Sequence, residues 1–281
     1  MKTINMLLPE FESLSVSIVV YRPDVTQLER TLTTLAAACA AVCTEHTDLR
    51  VQLTLVDNGG LPELGARLDS LSQLGIASTV ISGHGNIGYG RGHNLAIERA
   101  QSRFHLVLNP DIDLDRDAFR SAFDFFDAHP QVGLLTPWIG DEAGHQQFLC
   151  RRYPALLDLF VRGFAPISVR RLFARRLSRY EMRDSINDHD IAWDPPIVSG
   201  CFMLFRTDVL KQLAGFDPRY FLYFEDYDLS LRAHEITRLA YAPSVRVLHH
   251  GGGASHKGFS HVRMFAASAC KFFNRFGWKW V

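Results

Sequence analysis

Three short stretches carry side chains whose types and spacing could do chemistry. Asn109-Pro110-Asp111-Ile112-Asp113 follows an apolar run with closely spaced oxygen donors. A divalent ion such as Mg²⁺ or Mn²⁺ takes hard oxygen ligands, commonly one or two carboxylates plus phosphate oxygens. In an extended chain Asn109, Asp111 and Asp113 would point to one side. The same acids would also suit the positive end of a helix beginning near Arg116. Tyr223-Phe224-Glu225-Asp226-Tyr227-Asp228 sets three carboxylates among aromatic rings. Partial desolvation there would raise a carboxyl pKa and suit a general base, and acids in a first helical turn fit equally well. His249-His250 stands before three glycines, with His256 close behind. Imidazole is a competent ligand for a transition-type ion, and glycine lets backbone approach a ligand closely.

A fourth stretch, Gly83-His84-Gly85-Asn86-Ile87-Gly88, spells the G-x-G-x-x-G pattern of dinucleotide binding. That pattern belongs after the first strand of its unit, with an acid about 20 residues on. Here it follows the third apolar strand, which favours a turn that brings backbone close to a nucleotide over an NAD or FAD site. The chain has no G-x-S-x-G elbow and no G-x-x-x-x-G-K-[ST] loop. A nucleophilic hydrolase of that type and a P-loop NTPase are therefore not expected.

The elements that must position these groups alternate regularly in the first half. Strands are expected at Ser15–Tyr21, 51–59, 77–83 and 104–113, and helices at Val25–Val42, Leu61–Leu74, Asn94–Gln101 and 116–130. A β-α-β-α rhythm implies a parallel sheet covered by helices, with ligands beyond the carboxyl ends of the strands. Tyr21, Asp57, the glycine loop and Asn109-Pro110-Asp111 would converge there on one crevice. Beyond Gly133 the rhythm degrades, and 151–190 reads as irregular and arginine-rich.

The 281 residues suit one large α/β domain with a C-terminal elaboration. Thirty basic residues balance thirty acidic ones, which gives no argument for a nucleic-acid partner. Five cysteines without a C-x-x-C pair point to a reducing, cytoplasmic setting. Neither a signal peptide nor a run long enough to span a membrane is read.

The stretches "SIVVY", "LVDNG", "GNIGYGRGHNLAI", "LVLNPDIDLD", "VSGCFMLFR", "GFDPRYFLYFEDYDLSLR" and "VLHHGGGAS" occur in this order. Together they resemble an inverting nucleotide-sugar glycosyltransferase of family 2 with the GT-A fold, in its bacterial rhamnosyltransferase-like branch. The resemblance runs from Ser15 to about Ser255. It implies a Rossmann-like, mostly parallel sheet flanked by helices. Residues 13–135 would form the nucleotide-sugar half, 136–258 the acceptor and catalytic half, and 259–281 a C-terminal amphipathic segment.

Roles follow from the resemblance position by position. The Val20-Tyr21 backbone and Asp57 would hold the base, with Asp57 accepting the ring N–H of thymine or uracil. Asn86, Gly88, Arg91, Asn94 and Asn109 would line the nucleotide-sugar pocket, Gly88 and Asn94 near the ribose and diphosphate. Asp111 would be the principal ligand of Mg²⁺ or Mn²⁺ and His249 a second. Asn109 stands where the family's D-x-D motif has its first aspartate and offers only a neutral carbonyl, which lowers the expected metal affinity. Asp226 would be the catalytic base beside Glu225. Gly200 would face the acceptor, and Trp193 is the tryptophan nearest the acceptor position, displaced by Asp-Pro-Pro-Ile-Val.

The implied reaction is a single displacement with inversion. The donor would be dTDP-β-L-rhamnose, with a UDP-sugar as the alternative and an NAD/FAD oxidoreductase behind both. The acceptor would be a hydroxyl of a lipid-linked bacterial cell-surface glycan. Two segments mix arginine or lysine with apolar residues, 162–183 and Lys271–Val281. Such segments suit the membrane interface, and imply a peripheral enzyme at the inner face of the cytoplasmic membrane.

Overall fold

The computed structural model describes residues 13–43, 49–251 and 259–281. The N-terminal stretch read for a signal, and Gly252, Gly253 and His256 of the glycine-rich loop, lie outside the described residues.

Strand β1 (Ser13–Val20) shows why this sequence makes a central strand. Leu14, Val16, Ile18 and Val20 are fully buried on one face, where they join the core with Leu28, Leu32 and Leu35 of helix α1 (Val25–Cys43). The other face carries Ser15 and Ser17, whose hydroxyls bond the buried rings of His105 and His93. Strand β2 (Arg50–Asp57), helix α2 (Gly65–Gln73), strand β3 (Ile76–Ile81), helix α3 (Tyr89–Ile97) and strand β4 (Phe104–Leu108) follow. β3, β2, β1 and β4 are neighbours in that order and all parallel. Val20 pairs with Asp57, Ile18 with Leu108 and Val56 with Ile81, so these strands end at one level. The expected common carboxyl edge is present.

The strand expected over 104–113 is interrupted. A turn at Asn109–Asp111 separates β4 from β5 (Ile112–Leu114), which crosses the sheet. Asn109, Asp111 and Asp113 therefore do not share one side. Helix α4 (Ala118–Ala128) lays Phe123 and Phe126 against Phe104 with ring centroids 5.1 and 4.8 Å apart. Strand β6 (Val132–Gly140) is buried throughout.

The arginine-rich stretch expected to be irregular contains three short helices: α5 (Leu156–Phe164), α6 (Ile167–Leu172) and α7 (Ala174–Tyr180). Strand β7 (Ala192–Trp193), strand β8 (Phe202–Arg206), helix α8 (Thr207–Gln212), helix α9 (Glu225–Ala233), strand β9 (Arg238–His249) and helix α10 (Phe259–Phe276) complete the chain. The nine-stranded sheet continues from β4 through β8, β6 and β9 to β5, with β7 on β9. Beyond its parallel half the sheet is mixed, because β8 runs antiparallel to both β4 and β6 and β5 runs antiparallel to β9.

A separate cluster under α9 and α10 contains Phe224, Phe272 and Phe273. The apolar face of the C-terminal segment is thus packed inward at Phe272 and Phe273, while Trp278 and Trp280 stay exposed. No described helix is long and apolar enough to cross a membrane.

Candidate active site

The crevice floor comes from the ends of β1 and β2. Asp57 Oδ1 accepts the Gly59 and Leu61 amides at 2.8 and 3.1 Å, which fixes the carboxylate at the strand end. Asn58 is buried, takes the Val20 carbonyl through its own amide at 2.9 Å and donates Nδ2 to the Gly88 carbonyl at 3.0 Å. It thereby ties the two loops that flank Tyr21, which is half exposed. Asn86 Oδ1 accepts the Gly88 amide at 3.0 Å and shapes the turn into α3.

Gly88 has a φ of 93° and lies against the Phe221 carbonyl so closely that a Cβ would overlap it. The next residue, Tyr89, donates its amide to that same carbonyl at 3.0 Å. The glycine therefore serves a close approach between two loops of the crevice.

On the far side stands an Asp111–His249 corner. β5 pairs antiparallel with β9 so that Ile112 faces His249, and Asp111 Oδ2 comes 3.6 Å from His249 Nε2. Burial pushes the Asp111 carboxyl upward, but the His249 and Asn109 side chains outweigh it and hold the group below its ordinary value. Asp111 Oδ1 is buried without a hydrogen-bond partner among the described residues. Gln147 grips His249 twice: its Oε1 meets Nδ1 at 3.0 Å and its Nε2 donates to the His249 carbonyl at 2.8 Å. An amide oxygen on Nδ1 requires the proton there, so when the ring is neutral Nε2 carries the lone pair, the tautomer suited to a metal. Gly251 sits where a Cβ would overlap both Asp111 Oδ2 and His249 Nε2. An orphaned carboxylate oxygen, an imidazole lone pair and a glycine-only cradle fit a hard divalent ion that takes its remaining ligands from phosphate.

The third group lies at the start of α9. Tyr223 and Phe224 both hold left-handed backbone, with φ of 70° and 66°. Bulky residues in that region cost of order 1–3 kcal/mol each and persist where the surroundings impose them. Phe224 is imposed by its packing against Phe265 and Phe272, at 5.1 and 5.2 Å between centroids. The reversal points Glu225 and Asp226 back into the crevice.

Asp226 Oδ2 accepts the Gly200 amide and Oδ1 the Tyr227 amide, each at 3.0 Å. Glu225 is buried, and its Oε2 has no partner among the described residues. Burial, then the charge of Asp226, pushes Glu225 well up, and burial also raises Asp226 against those two amides. Two backbone N–H groups stabilise charge on Asp226 and none of comparable strength serves the orphaned Glu225 oxygen. The proton of the pair thus resides on Glu225 and the charge on Asp226.

Tyr89 joins the corners. Its hydroxyl donates to the Gly200 carbonyl at 2.6 Å, and burial, with the charges of Asp226 and Asp111 behind it, pushes its pKa up. The adjoining Cys201 carbonyl accepts the Asn109 amide at 2.9 Å, so a short backbone bridge links Asp226 to the Asp111–His249 corner. Arg151, buried, also lowers the pKa of Asp226 through its charge.

Several expected site residues have other duties. Asn94 uses its whole amide on Phe216, Nδ2 to the carbonyl at 2.8 Å and Oδ1 from the amide at 2.9 Å. Arg91 Nε donates to the Pro218 carbonyl at 2.5 Å. Both latch α3 to the loop that leads into α9. Gly200 addresses Asp226 through its amide, and a Cβ there would crowd Asp226 and Tyr89. Trp193 pairs with Ala240 on β9, at the opposite end of that strand from His249, and packs on His129; it is outside the crevice. Asp228 turns away to Arg232 and Arg275 at 2.6 and 2.8 Å. His250 lies between Asp113 and Glu142, each 2.7 Å away. Gln147, Tyr89 and Arg151 carried no signal in the sequence, because each acts on a residue far along the chain.

Residues 15–214 match the model of the family "Glycosyl transferase family 2". The chain is 28% identical over 253 residues to an N-acetylglucosaminyl-diphospho-decaprenol L-rhamnosyltransferase of Mycobacterium tuberculosis, covering 84% of this chain and 76% of the relative. It is 27% identical over 190 residues to the rhamnosyltransferase WbbL of Escherichia coli K12, covering 64% and 67%. Among solved structures, GalNAc-T7 with UDP, GalNAc and Mn²⁺ superposes with a TM-score of 0.59 at 15% identity, over 86% of this chain and 44% of that one. That likeness shows a shared sheet architecture, the GT-A fold.

Proposed function

Because this chain belongs to glycosyl transferase family 2, we propose that it moves L-rhamnose from dTDP-β-L-rhamnose to a hydroxyl of a prenyl-diphosphate-linked glycan. The observation that carries the reading is the convergence of three carboxylates of different character on one crevice: Asp57, Asp111 and Asp226. The rhamnosyltransferase names of the two relatives support the donor sugar, and the name of the mycobacterial one supports the acceptor class. The oxidoreductase reading of the glycine loop gives way to family membership.

Asp57, with Oδ1 held by two amides, leaves Oδ2 to accept a pyrimidine ring N–H, while the Val20-Tyr21 backbone flanks the base. Residues 13–135 would supply this donor half, with Asn86 and Gly88 shaping the loop beside the diphosphate. Asp111 and His249, with Asn109 beside them, are the residues that would hold Mg²⁺ or Mn²⁺, which when bound supplies positive charge opposite a departing diphosphate. Residues 136–258 bring the base. Asp226 takes the proton of the acceptor hydroxyl, whose oxygen forms the new bond to the anomeric carbon. The bond to the diphosphate breaks on the opposite face, and its electron pair leaves with the phosphate oxygen. Configuration inverts, so a β-linked donor gives an α-rhamnoside. Neutral Glu225 adds no second charge to oppose proton uptake by Asp226.

Such an acceptor would be met at the cytoplasmic face of a membrane, with the chain bound peripherally. The test is thermal stability with dTDP, UDP, GDP or NAD, each with and without Mn²⁺. A ligand at 100 times its Kd adds about 2.7 kcal/mol, a shift of several degrees for a chain of this size. A dTDP shift exceeding that of UDP, enlarged by Mn²⁺ and reduced in Asp111→Ala, is the expected result. A larger UDP shift would move the donor to the UDP-sugars, and a shift with NAD alone would end the proposal.

A further inference from the structure

A second cavity lies outside the donor crevice, between α5, α7 and the chain that follows α10. It measures about 610 Å³, within the range of small-molecule sites. Its wall carries Arg152, Arg175, Arg176, Arg179 and Lys279. Two of these cations are committed: Arg176 to Asp158 at 2.5 Å and Arg152 to Asp184 at 2.9 Å. For Arg175, Arg179 and Lys279 the described residues provide no acidic partner. All three are exposed and free to meet an anion entering the concavity, and guanidinium groups suit phosphate oxygens through paired N–H donors.

The chain after α10 is held as part of this wall. The Lys279 and Trp280 carbonyls accept the first amides of α5, from Leu156 at 2.8 Å and Leu157 at 3.2 Å. The Gly277 carbonyl accepts the Tyr153 hydroxyl at 2.5 Å. Tyr180 lines the cavity and its hydroxyl meets that of Tyr227 at 2.8 Å. Tyr227 follows Asp226 in α9, so the cavity wall touches the helix that carries Asp226. On the outer side Leu172 is 81% and Trp280 69% exposed, and Ile167 and Phe160 add further apolar surface.

We propose that this cavity binds the diphosphate of the prenyl-linked acceptor, with Arg175, Arg179 and Lys279 on its phosphates. The first sugar would extend past Tyr180 toward Asp226 and the prenyl chain would leave over Leu172 and Trp280. The assignment rests on the lipid-linked acceptor reading above and adds a site to it. A diphosphate matches the charge of the wall better than the single charge of an ordinary phospholipid headgroup does.

Farnesyl diphosphate is the probe, titrated in EDTA with tryptophan fluorescence as readout, since Trp278 and Trp280 flank Lys279 of the cavity wall in the chain. Saturable binding is expected to weaken at least tenfold in Arg175→Gln/Arg179→Gln and again in Lys279→Gln. Asp111→Ala, which alters only the donor corner, should leave it unchanged. Unaltered binding in the arginine variants would overturn the assignment. Equal affinity for farnesyl monophosphate would make this a general phosphate site and overturn it as well. If dTDP stabilises neither protein while farnesyl diphosphate still depends on the arginines, the donor reading fails and this site stands.

Discussion

At the scale of single residues, the informative contrast is between two adjacent carboxyls with opposite states. Asp226 is held by two amides, whereas Glu225 is sealed in with an unpartnered oxygen. Asp226→Asn keeps the shape but removes the proton acceptor, so kcat should fall by about 10²–10⁴-fold while the dTDP-dependent thermal shift persists. Loss of both would indicate a damaged fold. Glu225 makes a separate prediction about pH. Its carboxyl is pushed from 4.5 up to about 8, so the folded state binds its proton more tightly than the unfolded chain does. Stability from this group is present below about pH 4.5 and is lost as pH rises to about 8. Glu225→Gln removes that titration. In urea unfolding, the stability of the variant relative to wild type should therefore increase from about pH 5 to about pH 8, and parallel curves would refute the assignment of the proton to Glu225.

At the scale of elements, helix α9 is placed by loops more than by its own propensity. The 221–224 segment touches α3 through Gly88 and Tyr89, and the two left-handed residues before α9 depend on that contact. Gly88→Ala would drive a methyl group into the Phe221 carbonyl and should cost both stability and kcat. Gly85→Ala is the control: φ is 67° there, but nothing lies within 4 Å of the added methyl, so only the conformational cost of about 1–2 kcal/mol applies. Equal melting losses in the two variants would show that the Phe221 contact is unimportant.

The same elements show what the sequence makes legible. β1, β2 and β4 are read from apolar runs because strands buried on both faces need them. Asp57 and Asp111 follow from standing at their ends. The turn that sends Asp111 to His249 and Asp113 to Arg30 is set by the pairing of β5 with β9, over a hundred residues away, and no local pattern encodes it. Helices α5 to α7 lack a long apolar stripe and take much of their support from α10 and the tail, so the sequence around them looks irregular. Asn94 and Arg91 stand on the helix after the glycine loop, and their partners at Phe216 and Pro218 become visible only in three dimensions.

At the scale of the whole molecule, equal numbers of acidic and basic residues conceal an uneven distribution. The surface of α5 to α7 and the tail combines Arg170, Arg171 and Arg175 with exposed Phe160, Ile167, Leu172 and Trp280. A neutral protein has no long-range attraction to an anionic bilayer, so binding must come from this face at short range. Each cation near the surface contributes about 1 kcal/mol, and burying one large apolar side chain adds roughly 1.5–3 kcal/mol. Co-sedimentation with vesicles containing phosphatidylglycerol is therefore expected at low salt. It should weaken strongly near 1 M salt, where the Debye length falls to about 3 Å. Leu172→Ser/Trp280→Ser should reduce binding about tenfold even at low salt, since each loses insertion without changing charge. The two losses test different physics: a salt effect without an effect of the substitutions would describe mere adsorption, and the converse would describe an apolar contact indifferent to lipid charge. Sensitivity to both is what a face presenting the base to a lipid-linked acceptor requires, because the apolar rim must enter the interface while the cations meet its phosphates.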